Sequence, residues 1–451
     1  MKKVVIIGGG ASGTLLAINL LRAALSQPIS ITLVEKRETI GRGIAYSTAF
    51  EHHLLNVPVA KMSAFPDEPE HFLNWLGESG HSFGSSDFVP RRLFGDYLSS
   101  LLDAEARRSA SLVRVFDEAT DLEQNDGGIV VKLASGKEIP ADLVVLAFGN
   151  FLPPHPSVPD LSFITAEMYI RDVWSEGSLE KIDPSDDVLV IGTGLSMVDF
   201  VLNLRSAGHQ GKIQAISTKG LLPAEHKLGY TYPAFADELK GVEKITQIFT
   251  TVRKHVAVAD ANGSDWRAVI DSLRPVTQDL WQQLPTAEKR YFMQHLSRYW
   301  NAARHRMPPA AAETIREMLT NGQLEVLSGR LRHISTDTEG RFLVNFSQNG
   351  EQNYINCDVL VNCIASQSNF ARIESELVKN RLGRGTIRCD AVSLGLDATP
   401  DGRLIDVNGV VSDKLRTIGT ALKGTLWETT AIPEIRVQAA KLAETIAKSD
   451  T

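Results

Sequence analysis

The chain has 451 residues, 43% of them hydrophobic and 22% charged, with 47 basic against 54 acidic side chains and a formal net charge of −7. That length fills two or three cores, because a single core rarely grows past about 250–300 residues. A mildly acidic chain without a long basic run argues against nucleic acid and anionic membrane as partners, and no apolar run reaches the roughly 18 residues of a membrane span.

The apolar run Val4 to Ile7 reads as a strand buried on both faces. Gly8, Gly10 and Gly13 then fall on G-x-G-x-x-G. The first glycine allows a sharp turn, the second lets backbone approach a pyrophosphate, and the third lets the next helix pack close. That helix is predicted over Ala11 to Ala24, followed by a strand from Ile29 to Val34 that ends in Glu35, 22 residues beyond Gly13. An acid there hydrogen-bonds a ribose diol. A strand starting at residue 3 leaves no room for a signal peptide before it.

Next comes GRGIAYS, residues 41–47, a turn whose Arg42 guanidinium is placed to reach phosphate or ribose. His52 and His53 have no third ligand at a sensible spacing, so no metal site is expected. Pro58 keeps Asn56-Val57 extended, and Asp67-Glu68-Pro69 opens a short helix carrying Phe72, Trp75 and Leu76. Pro90 starts another, with Phe94, Tyr97, Leu98 and Leu101 as its core face. Arg91 and Arg92 stand at its beginning, where the dipole gives a cation nothing, which points to a ligand. Residues 111–147 read as short strands around the turn Ser135-Gly136, and ADLVVLAFGNFLPP is a buried strand that runs from Asp142 toward Gly149.

A second unit repeats the pattern. Val188 to Ile191 meets Gly192-Thr-Gly194-Leu-Ser-Met197, a helix follows, and Ile213 to Ile216 forms the next strand. Met197 stands where a third glycine is usual, so its helix should sit further off the strand. The strand ends in Ser217-Thr218-Lys219 without an acid, which favours NADPH over NADH. From Leu221 to about Gly322 the pattern is helical, with Trp266, Trp281 and Trp300 scattered through it. Near its end Arg304 and His305 are candidate anchors for a carboxylate or phosphate, or else an internally paired helix end. His226 is a candidate neighbour of the nicotinamide, with an ordinary structural role equally open.

Strands return at Leu324 to Val326, Phe342 to Phe346 and in CDVLVNCIA, which mimics the Asp142 strand. Cys357 and Cys363 share a face of that run about 20 Å apart at roughly 3.3 Å per residue, too far to bridge. With three cysteines in all and no C-x-x-C, the chain reads as a cytoplasmic protein with structural thiols and no dithiol centre. A closing strand runs into Gly419, a loop carries Trp427, and Thr430-Ala431-Ile432-Pro433 opens a last helix. Its start directs positive partial charge at whatever lies before it.

The blocks GGGASG, GRGIAYS, HLLNVPVAKMSAFPDEPEHFLNWL, FVPRRLFGDYL, IGTGLSMVD, GLLPAEH, ARHRMPP and WETTAIPEIRVQAA span nearly the whole chain. With them the sequence resembles a bacterial FAD/NAD(P)-binding flavoprotein family, distantly related to the N-hydroxylating and class B flavin monooxygenases. The resemblance implies an α/β fold with two Rossmann-like dinucleotide-binding domains. FAD is expected on 1–165 and 366–451, NAD(P)H on 166–365, with the helical segment 221–322 inside the second. It places FAD at Gly8, Gly10, Gly13, Glu35, Arg42, Asn56, Gly149, Gly419 and Thr430, with Ala11, Ser12, Lys36, Val57, Arg91, Ala119, Thr420, Trp427 and Ile432 beside them. The reduced nucleotide falls at Gly192, Gly194, Ser196 and Lys219. Two departures stand out: Cys363-Ile-Ala-Ser replaces a Cys-Thr-Gly-Pro, and Ser217-Thr-Lys219 replaces a pair of arginines. The activity implied is an FAD-dependent oxidoreductase fed by NAD(P)H, first a monooxygenase of a small polar substrate. Second comes a reductase without oxygen insertion, and third a redox-sensing flavoprotein without turnover. Oligomeric state is left open.

Overall fold

A computed structural model describes residues 1–125, 127–175 and 177–448. The first half of the architecture is β1 (Lys2–Ile7), α1 (Ala11–Ala24), β2 (Ile29–Glu35), a short helix His71–Glu78, α2 (Arg91–Ser109), β3 (Leu112–Phe116), an antiparallel meander β4 (Ala119–Asn125), β5 (Gly128–Leu133) and β6 (Glu138–Ala141), then β7 (Leu143–Leu146). The second half repeats it after the edge strand β8 (Tyr169–Ile170): β9 (Val188–Ile191), α3 (Leu195–Ser206), β10 (Ile213–Ser217), the helical insert, β11 (Leu324–Ser328), the meander β12 (Arg330–Thr336), β13 (Phe342–Gln348) and β14 (Glu351–Cys357), and β15 (Val359–Asn362). The insert carries α4 (Ile245–Ala261), α5 (Trp266–Ser272), α6 (Thr277–Gln283) and α7 (Ser297–Arg304). The chain then returns to the first half with β16 (Arg403–Ile405), β17 (Val411–Thr417) and α8 (Ile432–Lys448).

Two sheets result. One has the order β16-β17-β7-β1-β2-β3, parallel except for β16, and the other β11-β10-β9-β15-β8, parallel throughout. Fully buried parallel strands account for the unbroken apolar runs VLVI and LVVL, every residue of which is buried. The turn GRGIAYS winds into one helical turn, Gly43–Tyr46. Around the first sheet, α1, α2 and α8 cover one face while the β4–β6 meander and residues 370–398 cover the other. The insert has a core of its own, and it reaches out to Trp427.

The two halves are joined by specific polar contacts. Arg91 on α2 pairs with Asp199 on α3 at 2.8 Å, with only 14% and 9% of the two side chains exposed. His52 bonds Asn203 Oδ1 at 2.7 Å, and His53 reaches the Asp199 carbonyl at 3.3 Å. Arg274 of the insert forks onto Glu434 of α8 at 2.6 and 2.9 Å. Among the described residues no helix is long and apolar enough to cross a membrane.

Candidate functional site: two nucleotide cradles and a helical insert

At the first cradle the backbone is shaped around a missing side chain. Gly8 has φ +110°, and a Cβ there would lie 2.2 Å from the Ala147 carbonyl oxygen. A Cβ on Gly13 would lie 1.9 Å from the Gly8 oxygen, so α1 rests directly on the turn. Gly10 differs: the nearest atom to a Cβ would be Gly43 Cα at 3.5 Å, ordinary contact distance, so the space over it is open. The N–H groups of Gly10, Ala11 and Ser12 donate to no protein group among the described residues. Unpartnered N–H groups at a helix start form an anion site. Glu35 holds the loop, accepting from Gly9 N at 2.6 Å and from Arg37 N at 3.1 Å. Two carboxylate oxygens offer about four acceptor positions, which leaves capacity for a diol.

The closing segment completes this groove. Gly419, φ +78°, passes so close to Ser12 that a Cβ would sit 2.6 Å from its Oγ. Gln438 of α8 donates to Thr429 Oγ1 at 2.6 Å, Thr429 donates to the Gly419 carbonyl at 3.0 Å, and Gly419 N donates back to Gln438 at 3.2 Å. Thr420 donates to the Gly149 carbonyl. Thus Ser12, Glu35, Gly149, Gly419 and Thr420, far apart in the chain, are gathered around the first glycine loop. At the start of α8 the N–H groups of Thr430, Ala431 and Ile432 also donate to no protein group among the described residues. Lys36 pairs with Glu118 at 3.7 Å beside Ala119, which opens β4 near the Glu35 end.

The second cradle copies the turn. Gly192 has φ +111°, and a Cβ there would lie 2.4 Å from the Cys363 carbonyl oxygen. Gly194 has nothing within 4 Å of a Cβ, and Gly194, Leu195 and Ser196 keep unpartnered N–H groups among the described residues. Ser217, at the end of β10, lies 2.9 Å from Thr193 Oγ1 and accepts from Gly220 N at 3.0 Å. Lys219 is exposed just beyond.

Several residues expected at ligands are engaged elsewhere. Arg91 is committed to Asp199 and to the Leu54 carbonyl at 2.8 Å, and Arg92 to Glu51 at 2.6 Å, so the pair at the start of α2 joins protein segments. Arg42 pairs with Asp96, although its turn does lie against Gly10. Arg304, one of the proposed substrate anchors, lies 3.5 Å from Glu428 with its side chain 10% exposed. His305 is held neutral: burial first, then the charges of Arg304 and Lys423, lower its pKa to about 4, so it offers an anion no charge. His226 bonds the Asn56 carbonyl at 2.8 Å, and burial lowers its pKa to about 4 as well. Val57, next to Asn56, is buried in the core.

Lys61 had no signal in the sequence, and Trp427, expected beside FAD, packs into the core of the helical insert. Lys61 is exposed near Arg274, Arg304 and Arg306 at the junction between the halves; the loss of water on its protein-facing side, and then those charges, lower its pKa against the opposing pull of Asp271. Trp427 adopts φ +60°, ψ −70°, stacks on Trp281 at 4.9 Å and meets Phe292 edge-on at 4.9 Å. The tryptophans of the helical segment were the available hint, but nothing local showed that they converge on Trp427. The three cysteines are free, and burial pushes the Cys357 thiol up to about 12 and Cys363 higher still.

With two glycine cradles, each opening a helix with free N–H groups from a parallel sheet, the chain has an α/β fold like that of FAD- and NAD(P)-binding flavoproteins. Residues 5–151 match the family model described as FAD-NAD(P)-binding. Over the whole chain, L-lysine 6-monooxygenase from Pseudomonas syringae shares the fold, with 15% identity, a TM-score of 0.67 and 100% coverage of both chains. By sequence, the chain is 27% identical over 222 residues to the uncharacterized protein YdhS of Escherichia coli (strain K12), covering 45% of this chain and 39% of that one. It is 28% identical over 164 residues to 3-dehydro-bile acid delta(4,6)-reductase of Clostridium scindens, covering 33% and 39%. The chain thus matches about two fifths of the length of these curated relatives.

Proposed function

We propose that the protein is an FAD-dependent oxidoreductase that takes hydride from NAD(P)H and acts as a monooxygenase on a small-molecule substrate. The observation that carries this reading is the presence of two open cradles on one chain, fixed to each other by the buried Arg91–Asp199 pair. Bound FAD supplies the redox chemistry, and the protein supplies position, dryness and electrostatics. In the first cradle the N–H groups at the start of α1 hold the pyrophosphate and Glu35 the ribose. At the start of α8 the free N–H groups favour negative charge. In the second cradle Gly194, Leu195 and Ser196 hold the nucleotide phosphates, with Lys219 beside them favouring NADPH. Its likeness in fold to a lysine monooxygenase supports the oxygenating reading. The three free cysteines fit a reducing cytoplasm.

A reductase without oxygen insertion is the second reading, favoured by the resemblance to the bile acid reductase. The deciding experiment begins with purified protein. It should be yellow, and anaerobic NADPH should bleach it; protein that neither holds nor takes up FAD, or that NADPH and NADH both leave unbleached, overturns the proposal. Substrate-dependent uptake of oxygen into product supports the monooxygenase. Turnover at an unchanged rate without oxygen supports the reductase.

A further inference from the structure

Between α4, α5, α6 and α7 the helical insert forms a half-open cavity of about 480 Å³, with Trp427 as part of its wall. Small-molecule sites occupy roughly 300–1,000 Å³, and they are usually apolar with a few polar groups. Here Ile248, Val252, Leu280, Phe292, Trp300 and Trp427 set the character of the wall. The polar atoms of its buried wall are already engaged, and only Tyr299 and Arg253, both exposed, bring further polar groups to it. Thr277 donates to the Leu273 carbonyl at 2.8 Å, Trp281 Nε1 to the Gly424 carbonyl at 2.8 Å, and Trp300 Nε1 to Glu428 at 3.3 Å. A polar molecule entering would therefore lose water without gaining bonds, whereas an apolar one loses nothing.

Two irregularities of backbone converge on the same space. Trp427 holds a positive φ that a bulky side chain rarely adopts, and such strain concentrates at ligand sites. Between the helix Thr286–Tyr291 and α7 a π-helical turn, Phe292–Leu296, carries Phe292 and Leu296 onto the wall. A helical core that served packing alone would close around its side chains. At the rim stands Arg253, exposed and without an ion pair among the described residues. Trp427 is three residues before Thr430, where the free N–H groups of the last helix begin.

We propose that this cavity takes the body of the substrate, an apolar ring-bearing molecule whose single acidic group rests at Arg253. It stands in place of the small polar compound expected from sequence. The inference rests on the flavoenzyme reading above, but its first test does not need turnover. FAD-loaded protein is titrated with anilinonaphthalene sulfonate and with its neutral counterpart N-phenyl-1-naphthylamine, following energy transfer from tryptophan. Both should saturate at one per chain. Ala303→Phe and Leu280→Trp, two independent ways to fill the space, should each weaken both probes at least tenfold, judged on whichever variant keeps its FAD. Arg253→Gln should weaken the sulfonate three- to tenfold and leave the neutral probe unchanged. Absence of saturable binding, or binding indifferent to the filling variants, overturns the cavity; equal effects of Arg253→Gln on both probes overturn the acidic end. In turnover, 2-naphthoate should accelerate NADPH oxidation more than lysine does, and the reverse order overturns the substrate assignment. Saturable probe binding by protein that never takes up FAD would defeat the flavoenzyme reading and leave the cavity standing.

Discussion

The two halves of the molecule solve the same problem with different side chains. In both, a parallel strand enters a glycine at φ near +110° whose missing Cβ admits a carbonyl from the strand next door, Ala147 in one and Cys363 in the other. In both, an aspartate just before that neighbouring strand ties down its base: Asp142 accepts from Lys3 N at 2.7 Å, and Asp358 from Asp187 N at 2.8 Å. The halves part at the third position of the loop and at the end of the second strand. Gly13 lets α1 touch the turn, while Met197 is fully buried in the core of the second half. Glu35 grips the first loop with a carboxylate, and Ser217 grips the second with a hydroxyl. What the turn requires is kept, and what meets the ligand is free to change.

That contrast can be broken deliberately, and the largest effect belongs to Gly13. A Cβ 1.9 Å from a backbone oxygen cannot be relieved by a side-chain rotation, so Gly13→Ala should yield protein without FAD or no soluble protein. The opposite change, Met197→Ala, removes volume from a core; it should cost about 2–5 kcal/mol in unfolding free energy while FAD remains bound. Next come the middle glycines, which have room in the protein alone. Gly10→Val should fold and lose FAD, as the visible spectrum would show. Gly194→Val should keep its flavin and lose reduction by NADPH in stopped flow. A Gly10→Val protein with full flavin content would contradict the first cradle.

How far the chain can be read without a structure follows the same division. The strand Val188–Ile191 and the helix Ala11–Ala24 were legible to the residue, because an apolar run ending at glycine is a local signal. The partners of the cations were not. Arg91 finds Asp199 108 residues away and Arg304 finds Glu428 124 residues away, and no spacing rule reports contacts of that range. A cation at a helix start suggested a ligand, but the compensating charge came from the other half of the protein. The tryptophans of the insert were visible, but their convergence with Trp427 depends on how the closing segment returns.

Those long-range contacts give the intermediate effects. Arg91→Ala would leave Asp199 buried without its partner, which costs about 3–5 kcal/mol in comparable cases; chemical denaturation of the single and double variants with Asp199→Asn measures it. His226 and His305 act through pH. Both are neutral when folded, with pKa values near 4 against 6.5 for a free histidine, so below pH 6.5 the unfolded chain binds more protons than the folded one. Stability should therefore fall as pH drops from 6.5 toward 4, and thermal melts of His226→Gln should show a shallower fall over that window.

The smallest expected effect tests the other end of the contrast, where Glu35 is replaced by Ser217 and its neighbours. An acid at that position grips a ribose hydroxyl and repels a 2′-phosphate, whereas Ser217, already held by Thr193 and Gly220, leaves an uncharged opening with Lys219 exposed beside it. A single exposed lysine contributes little to binding, on the order of 1 kcal/mol, so Lys219→Ala should raise the KM for NADPH by roughly fivefold and leave that for NADH unchanged. Ser217→Glu should reverse the preference by building into the second cradle what Glu35 does in the first. Steady-state rates with both nucleotides measure each change. Equal effects on the two nucleotides would mean that the 2′-phosphate is read by another part of the second half, and that the two strand ends do not differ in the way their chemistry implies.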